Sequence, residues 1–518
     1  MTAASEIKAK PRKKAKSKRR KLYDLHTWVG FHLALIMFVV LLTGTIATVS
    51  NEIDWLIQPD MRVDPSGAET PGQAVSWTQM EEAIKDYDPD LTIGSIYTVA
   101  GDHFALRART TDEFGRAIFT HVDQWTGEVT GRTHPMTVQR VFRDLHRYLF
   151  MPNVIGLPVV TSMAFILAIS LYTGLKTSRN WRTLLFRVRT DKGARIMIGD
   201  AHKAAGLWSI WLITIMIVTG VWYLIEFGVN VGNRIAAPPP AVATATTKAP
   251  TEIAPTVRFK PMGDFIAASE TAFPDLKPAT IFMPNRPGAT AGVQGHVGNP
   301  LIRVRANNVR INAVTGAVES VNKSRDMSTY RYINEMADPL HFGFFGGLPT
   351  KLLYFLFGIA LTGLSASGVW LTWKRLKTKA PTRAQFATVP VMMLSMYFFV
   401  GWYDRQQGPD IPQFETPITN IASSVSITAE LRLACMQDGA KLRARLSAGN
   451  AYVAIRQLEL DVGETTLSSR TTHFGRTVSA YFDMPDKLPA DGLSLIAPES
   501  GTVWTWSGLE RQDASCKD

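Results

Sequence analysis

Five uninterrupted apolar runs, set among polar segments, constrain this chain more than any other feature. They are Trp28–Ser50, Val154–Leu175, Ala204–Phe227, Leu348–Trp373 and the shorter, Pro-containing Ala387–Tyr403. A helix needs about 17–25 apolar residues to cross a hydrocarbon core ~30 Å thick. In that core only a helix or a closed barrel satisfies its own backbone. The 518 residues are 46% hydrophobic and 19% charged. Those totals alone would suit a globular protein, so the distribution carries the signal. The expected class is an integral membrane α-helical protein with four core spans and a fifth. The expected order is a tail over 1–21, spans over 22–50, 153–176, 202–227, 348–374 and 387–403, a loop over 177–201, and large outer segments over 51–152, 228–347 and 404–518.

Lys and Arg near the span ends set the orientation. Residues 1–21 carry ten, 176–203 carry eight and 374–383 carry five. All three segments fall on one side, which places the N-terminus in the cytoplasm and the large segments in the periplasm of a bacterial inner membrane. The +12 net charge is accounted for by this basic face against an anionic bilayer and needs no nucleic acid. The first run is too long for a cleaved leader, and no small-residue cleavage site follows it. Cys435 and Cys516 both lie in the outer C-terminal segment, where an oxidising compartment favours a disulfide. No CxxC occurs.

An internal repeat organises the chain. Asp24, His26, Gly30 and Gly44 recur as Asp200, His202, Gly206 and Gly220, each pair 176 residues apart. The entrances to spans two and four share Leu-His, aromatics and Gly-Leu-Pro, with His146 and His341 as the histidines. VDQWTGEV (122–129) resembles INAVTGAV (311–318), and HFALRAR (103–109) and LIRVRAN (301–307) alternate as half-buried strands do. The unit is helix, small α+β domain, helix, used twice. A Pro/Ala/Thr linker (236–255) leads into the second outer domain, and the chain beyond Pro412 alternates as a β-rich domain.

A single histidine at a helix end is ordinarily an interfacial residue. Four that repeat in register are a different matter. Two on neighbouring helices at one depth can ligate a haem from both faces. His26 with His202, and His146 with His341, would supply one such pair at each membrane face. Gly30 and Gly206 lie one turn from their histidines, and Gly44 and Gly220 five turns away, ~27 Å along the axis, leaving room for a porphyrin plane. Arg143 and Arg147 flank His146 and could meet propionates, as Lys203 could beside His202. His32 lies six residues beyond His26 and has Trp208 as its counterpart, so spacing leaves open which of His26 and His32 faces His202. His103, His121, His134, His296 and His473 fall in outer segments, where surface or turn roles are expected.

The repeated span motifs, the LH…GLP entrances and the VDxxTGxV loops resemble the PepSY-associated transmembrane family, which includes inner-membrane siderophore reductases of the ferrioxamine-reductase type. The resemblance covers about residues 22–378. It implies two periplasmic PepSY-type domains and two b-type haems on His26, His202, His146 and His341. It also implies reduction of ferric siderophores for iron uptake. Asn312 departs from the pattern where Asp123 stands, which puts a shared ligand role for that position in doubt. No dinucleotide fingerprint occurs, so the expected electron donor is a quinol or a separate cytoplasmic reductase. The rivals are a haem protein with another periplasmic acceptor, which only acceptor tests separate, and a non-enzymatic scaffold or inhibitor, which absence of haem would favour. A permease would need buried polar residues that the spans lack.

Overall fold

The computed structural model describes residues 17–178, 181–236, 254–376, 388–463, 465–485, 492–506 and Cys516. Most of the basic tail, most of the Pro/Ala/Thr linker and the basic link ahead of the fifth run lie outside the described residues. The described residues form two compact units. The first draws on Met1–Ile46, Leu145–Gly228 and Leu353–Tyr397, the second on Ala47–Asp144, Val229–Leu352 and Phe398–Asp518.

The first unit is helical. Asn153–Thr177, Ile210–Ile235 and Phe344–Lys374 are each long and apolar enough to cross a membrane, and the pair Lys18–His32 with Ala34–Thr48, bent between its halves, brings the number to four where it counts as one broken span. Their burial runs opposite to a water-soluble bundle. Phe165, Val218, Leu356 and Ile359 are exposed, while Thr43, Thr45, Thr161, Thr173 and Thr219 are buried. Lipid makes outward Leu and Phe harmless, and small polar residues let helices approach closely. The buried threonines satisfy themselves on their own helices, as in Thr45 Oγ1 to Leu41 O and Thr161 Oγ1 to Leu157 O, both 2.7 Å. The chain is a multi-pass membrane protein.

Two expected spans are broken. The first bends by 68° at Leu33. The third is interrupted at Ser209, between the Ala194–Trp208 and Ile210–Ala236 helices. Leu33 and Ser209 are themselves 176 residues apart and adopt nearly the same backbone, φ −105° ψ 6° and φ −88° ψ 3°. At the first break the Ser365 hydroxyl reaches in and donates to Ala34 O at 3.3 Å. Such an inserted side chain is a recognised cause of a kink. A helix, Thr388–Gln407, forms at the fifth run; its apolar stretch stops at Asp404, and it falls outside the helices counted as long and apolar enough to cross.

The second unit holds an eight-stranded antiparallel sheet and a β-sandwich. The sheet comprises β1 (Thr92–Tyr97), β2 (Leu106–Thr111), β3 (Ala117–Val122) and β4 (Val129–Thr133), then, after the short β5 (Thr256–Val257), β6 (Lys277–Phe282), β7 (Thr290–His296), β8 (Asn308–Asn312) and β9 (Val318–Asn322). Their order is β4-β3-β2-β1-β6-β7-β8-β9, so the two halves mirror each other about the β1–β6 pair, where Ile96 faces Ile281. Helices Trp77–Tyr87 and Met262–Ala272 precede the halves. Met80, Ile84, Met262 and Phe265 from these helices share one core with strand residues Ile96, Ile281 and Ile311. The two α+β segments expected as separate domains therefore share a sheet and a core. The Asp123 and Asn312 side chains accept from backbone amides two residues on, Trp125 N at 2.8 Å and Val314 N at 3.1 Å. Both are turn-formers.

The expected strand at 301–307 is instead a tight turn, Val304–Ala306, before β8. Across the turn Arg303 Nε and Arg305 Nε both reach one carboxylate oxygen, Glu335 Oε2, at 2.7 and 3.0 Å. The β-rich tail follows the sequence reading. Two antiparallel sheets enclose a common core that includes Leu431, Leu442, Leu460, Leu495 and Trp504, and Cys435 and Cys516 are joined as a disulfide. The sandwich docks on the eight-stranded sheet through Arg443, which is almost wholly buried and pairs with Glu113 at 2.9 Å and Glu415 at 2.8 Å.

In this second unit His121 is buried and His473 is half-buried. Burial, reinforced by the Arg107 charge, lowers His121 to about 3. Burial lowers His473 to about 4 despite Asp112. The unfolded chain, with histidines near 6.5, binds more protons below that pH, so stability is full above it and is lost as pH falls towards the folded values. Melting temperature should therefore fall between pH 7 and pH 5 in detergent, and should fall less for His121→Gln.

Candidate functional site

The repeated helix starts converge on one cavity in the membrane unit. Its volume is ≈1290 Å3, and its walls include His26, Gly30, Gly174, His202, Gly206 and Gly368. The His26 and His202 rings stand 6.4 Å apart, centroid to centroid, with their planes at 86°. Of the sequence alternatives, it is His26 that faces His202. His32 lines a different cavity, next to Phe31 and Phe38.

Neighbouring helices fix both rings. His26 Nδ1 lies 3.1 Å from Ser170 O and 3.0 Å from Thr173 Oγ1. A carbonyl only accepts, so Nδ1 carries the proton and Nε2 keeps the lone pair. His202 Nδ1 lies 2.8 Å from Ser367 Oγ, and that hydroxyl donates to Gly363 O at 2.6 Å, so it too receives a proton from Nδ1. Both imidazoles thus keep an unprotonated Nε2 on the side away from their supports, the atom a metal would need. Glycines lie against both rings at ordinary van der Waals range. A Cβ on Gly174 would sit 3.4 Å from His26 Cε1, and one on Gly368 would sit 3.6 Å from His202 Cε1. Gly30 and Gly206 leave open space in the cavity wall, nothing lying within 4 Å of a Cβ at Gly30 and only Leu364 Cδ2, at 3.9 Å, near one at Gly206.

Basic side chains gather at the same cavity: Arg19, Arg20, Arg189, Lys192, Arg195 and Lys203. Asp200 organises part of this group. It is buried, takes Arg189 Nε and Nη2 at 2.7 and 3.0 Å, and lies 3.8 Å from Lys203. Lys203 was singled out in the sequence. The other five were read only as orientation signals, and their convergence depends on how the loop 177–201 folds back.

His146 sits at the end of the Val138–Tyr148 helix. Asp54 fixes that helix start by accepting from Val138 N and Gln139 N at 2.7 and 3.1 Å. His146 Nδ1 donates to Val40 O at 2.8 Å, so its Nε2 also carries the lone pair. The turn that follows is strained, with Leu149 and Phe150 both at positive φ, 51° and 58°. Gly44 is what admits the ring, since a Cβ there would lie 2.6 Å from His146 Cε1. Its counterpart Gly220 behaves differently. A Cβ there would meet Ala164 Cβ at 2.9 Å, so Gly220 serves close helix packing. Arg143 lies 3.8 Å from Asp144, and Arg147 stacks its guanidinium over Tyr148. His341 belongs to the second unit, near the end of the Thr329–Phe342 helix, which Gly343 terminates at φ 71°. Among the described residues no group of three or more His, Cys, Asp or Glu could hold a metal ion. The arrangement is one of paired imidazoles.

Gly44→Val should drive the His146 ring from its seat and break its bond to Val40 O. The expected loss is about 1–3 kcal/mol, read as a lower melting temperature, whereas Gly30→Ala should leave it unchanged.

None of the curated proteins matches this chain. The family model described as PepSY-associated TM region matches residues 23–375, about two thirds of the sequence. The match takes in all four spans and the histidines placed above, and the chain belongs to that family.

Proposed function

We propose that this protein is a di-haem oxidoreductase of a bacterial inner membrane. It carries electrons across the bilayer to Fe(III) in periplasmic siderophores and so releases iron. The observation that carries the reading is the His26–His202 pair. Metal–imidazole bonds are ~2.0 Å long, and a further ~1.1 Å lies between ring nitrogen and centroid, so two imidazoles on one metal have centroids ~6 Å apart. The 6.4 Å separation fits. The Nδ1 bonds leave Nε2 as the ligating atom on both rings, and the glycine-walled cavity has room for a macrocycle. The basic side chains at that cavity suit its carboxylates.

A haem held by two histidines supplies one-electron transfer and has no open position for oxygen. His146, with the same Nδ1 tie and a glycine against its ring, supports a second site, for which His341 is the proposed partner by its place in the repeat. The mirrored halves of the eight-stranded sheet support the internal duplication behind that pairing. Reduction suits the substrate, because hard oxygen ligands hold Fe(III) much more tightly than Fe(II). The basic segments at 1–21, 177–201 and 374–383 support a cytoplasmic N-terminus and periplasmic PepSY-type domains.

The protein purified in detergent should show a low-spin b-type spectrum with about two haems per chain. His202→Ala and His146→Ala should each remove about one. Ser367→Ala should weaken haem retention about 10- to 100-fold. Reduced protein mixed with ferrioxamine B should yield Fe(II), trapped by a coloured chelator. Absence of haem after expression with adequate supply would overturn the reading. Haem that is not oxidised by any ferric siderophore would overturn the acceptor.

A further inference from the structure

A second cavity, ≈350 Å3, lies at the bend in the first span, walled by Phe31, His32, Leu35, Phe38, Val369 and Val389 among others. Leu35 is 46% exposed and Val389 40%, so the cavity reaches the apolar flank of the helices. Its polar groups are few. The Ser365 hydroxyl is engaged with Ala34 O, and Thr388 is not free. His32 Nδ1 is buried and makes no hydrogen bond. A buried ring nitrogen without a partner is costly, and one facing an apolar slot is a ready point for a ligand hydroxyl. At the equivalent place in the repeat, Trp208 spends its polar atom on Leu185 O at 2.9 Å and packs on Phe186. The open histidine is peculiar to the first half.

Position adds the second argument. Ala34 and Ser365 line both this cavity and the one holding His26 and His202. The partition between the two is thus one small residue from each of two helices. Electron transfer falls steeply with distance, and this is a thin wall.

We propose that this cavity binds the head group of a membrane quinol and is the point at which electrons enter. The inference rests on the haem reading above. A quinol head is flat, largely apolar and carries a hydroxyl at each end, which matches an aromatic slot with a single unpaired acceptor. An acyl chain would leave that nitrogen unpaired. Oxidation releases two electrons and two protons. One O–H bond breaks to His32 Nδ1 and the other to water, while the two electrons cross the Ala34–Ser365 wall in succession to the haem proposed between His26 and His202. The product is the quinone.

The test uses the full chain in detergent, with decylubiquinol under anaerobic reducing conditions as the probe and calorimetric titration as the readout, so that binding is measured whether or not haem is present. Saturable binding at about one per chain is expected. His32→Leu should weaken it at least about tenfold, about 1.4 kcal/mol. Val369→Trp, which fills the slot, should abolish it. Both variants should keep the parent haem content. Binding unchanged in both variants would overturn the proposal, and so would no binding to the parent protein. Displacement of the probe by palmitate with no effect of His32→Leu would make the cavity an acyl slot and also overturn it. Loss of a haem in His32→Leu would overturn it by making His32 a ligand. A haem-free protein whose quinol binding depends on His32 would uphold the site and sink the haem reading instead.

Discussion

The Nδ1 hydrogen bonds of His26 and His202 hold the membrane unit's chemistry in place. Each imidazole gives its proton to an oxygen on a neighbouring helix, Ser170 O in one case and Ser367 Oγ in the other. The same bond selects the tautomer, sets the ring plane and turns Nε2 into the cavity. The supporting oxygens belong to spans two and four, so the geometry of the pair depends on how all four spans pack. That packing is of a kind lipid allows. Threonines and glycines face inward, large apolar side chains face outward, and the buried hydroxyls of Thr43, Thr45, Thr161, Thr173 and Thr219 bond back to their own helices.

The breaks at Leu33 and Ser209 add a second consequence. Each lies seven residues beyond its histidine, and each separates the histidine-bearing helix from the apolar segment that crosses the bilayer. A straight helix would keep both on one axis. The break lets the segments carrying His26 and His202 take their own course and leaves a cavity between them. The break at Leu33 lies beside the slot that His32 lines, where the Ser365 hydroxyl donates to Ala34 O.

Much of this was legible in the residues. Apolar runs located the spans, and register across 176 residues singled out the histidines. The alternation beyond Pro412 foretold the sandwich, and two cysteines placed together in the outer C-terminal segment foretold the bridge. What escaped depends on tertiary contacts. Neither Leu33 nor Ser209 is a proline or glycine, so nothing local announces a break. The competition between His26 and His32 was settled by which face of a bent helix meets span three. LIRVRAN alternates, yet Val304–Ala306 forms a turn whose flanking Arg303 and Arg305 both pair with Glu335, a contact from 30 residues further on that alternation does not encode. Gly44 and Gly220 occupy identical places in the repeat, yet one meets the His146 ring and the other Ala164 of span two, a difference set by tertiary neighbours. Nor does any pattern within one half reveal that β1 of the first will pair with β6 of the second.

The most direct test of the haem pair is low-temperature electron paramagnetic resonance of the oxidised protein. The ring planes of His26 and His202 stand at 86°, and perpendicular axial imidazoles leave two iron d orbitals nearly degenerate. The account predicts a low-spin ferric signal of unusually strong g anisotropy that disappears in His202→Ala. A high-spin ferric signal in the parent protein, or no ferric haem signal at all, would contradict it.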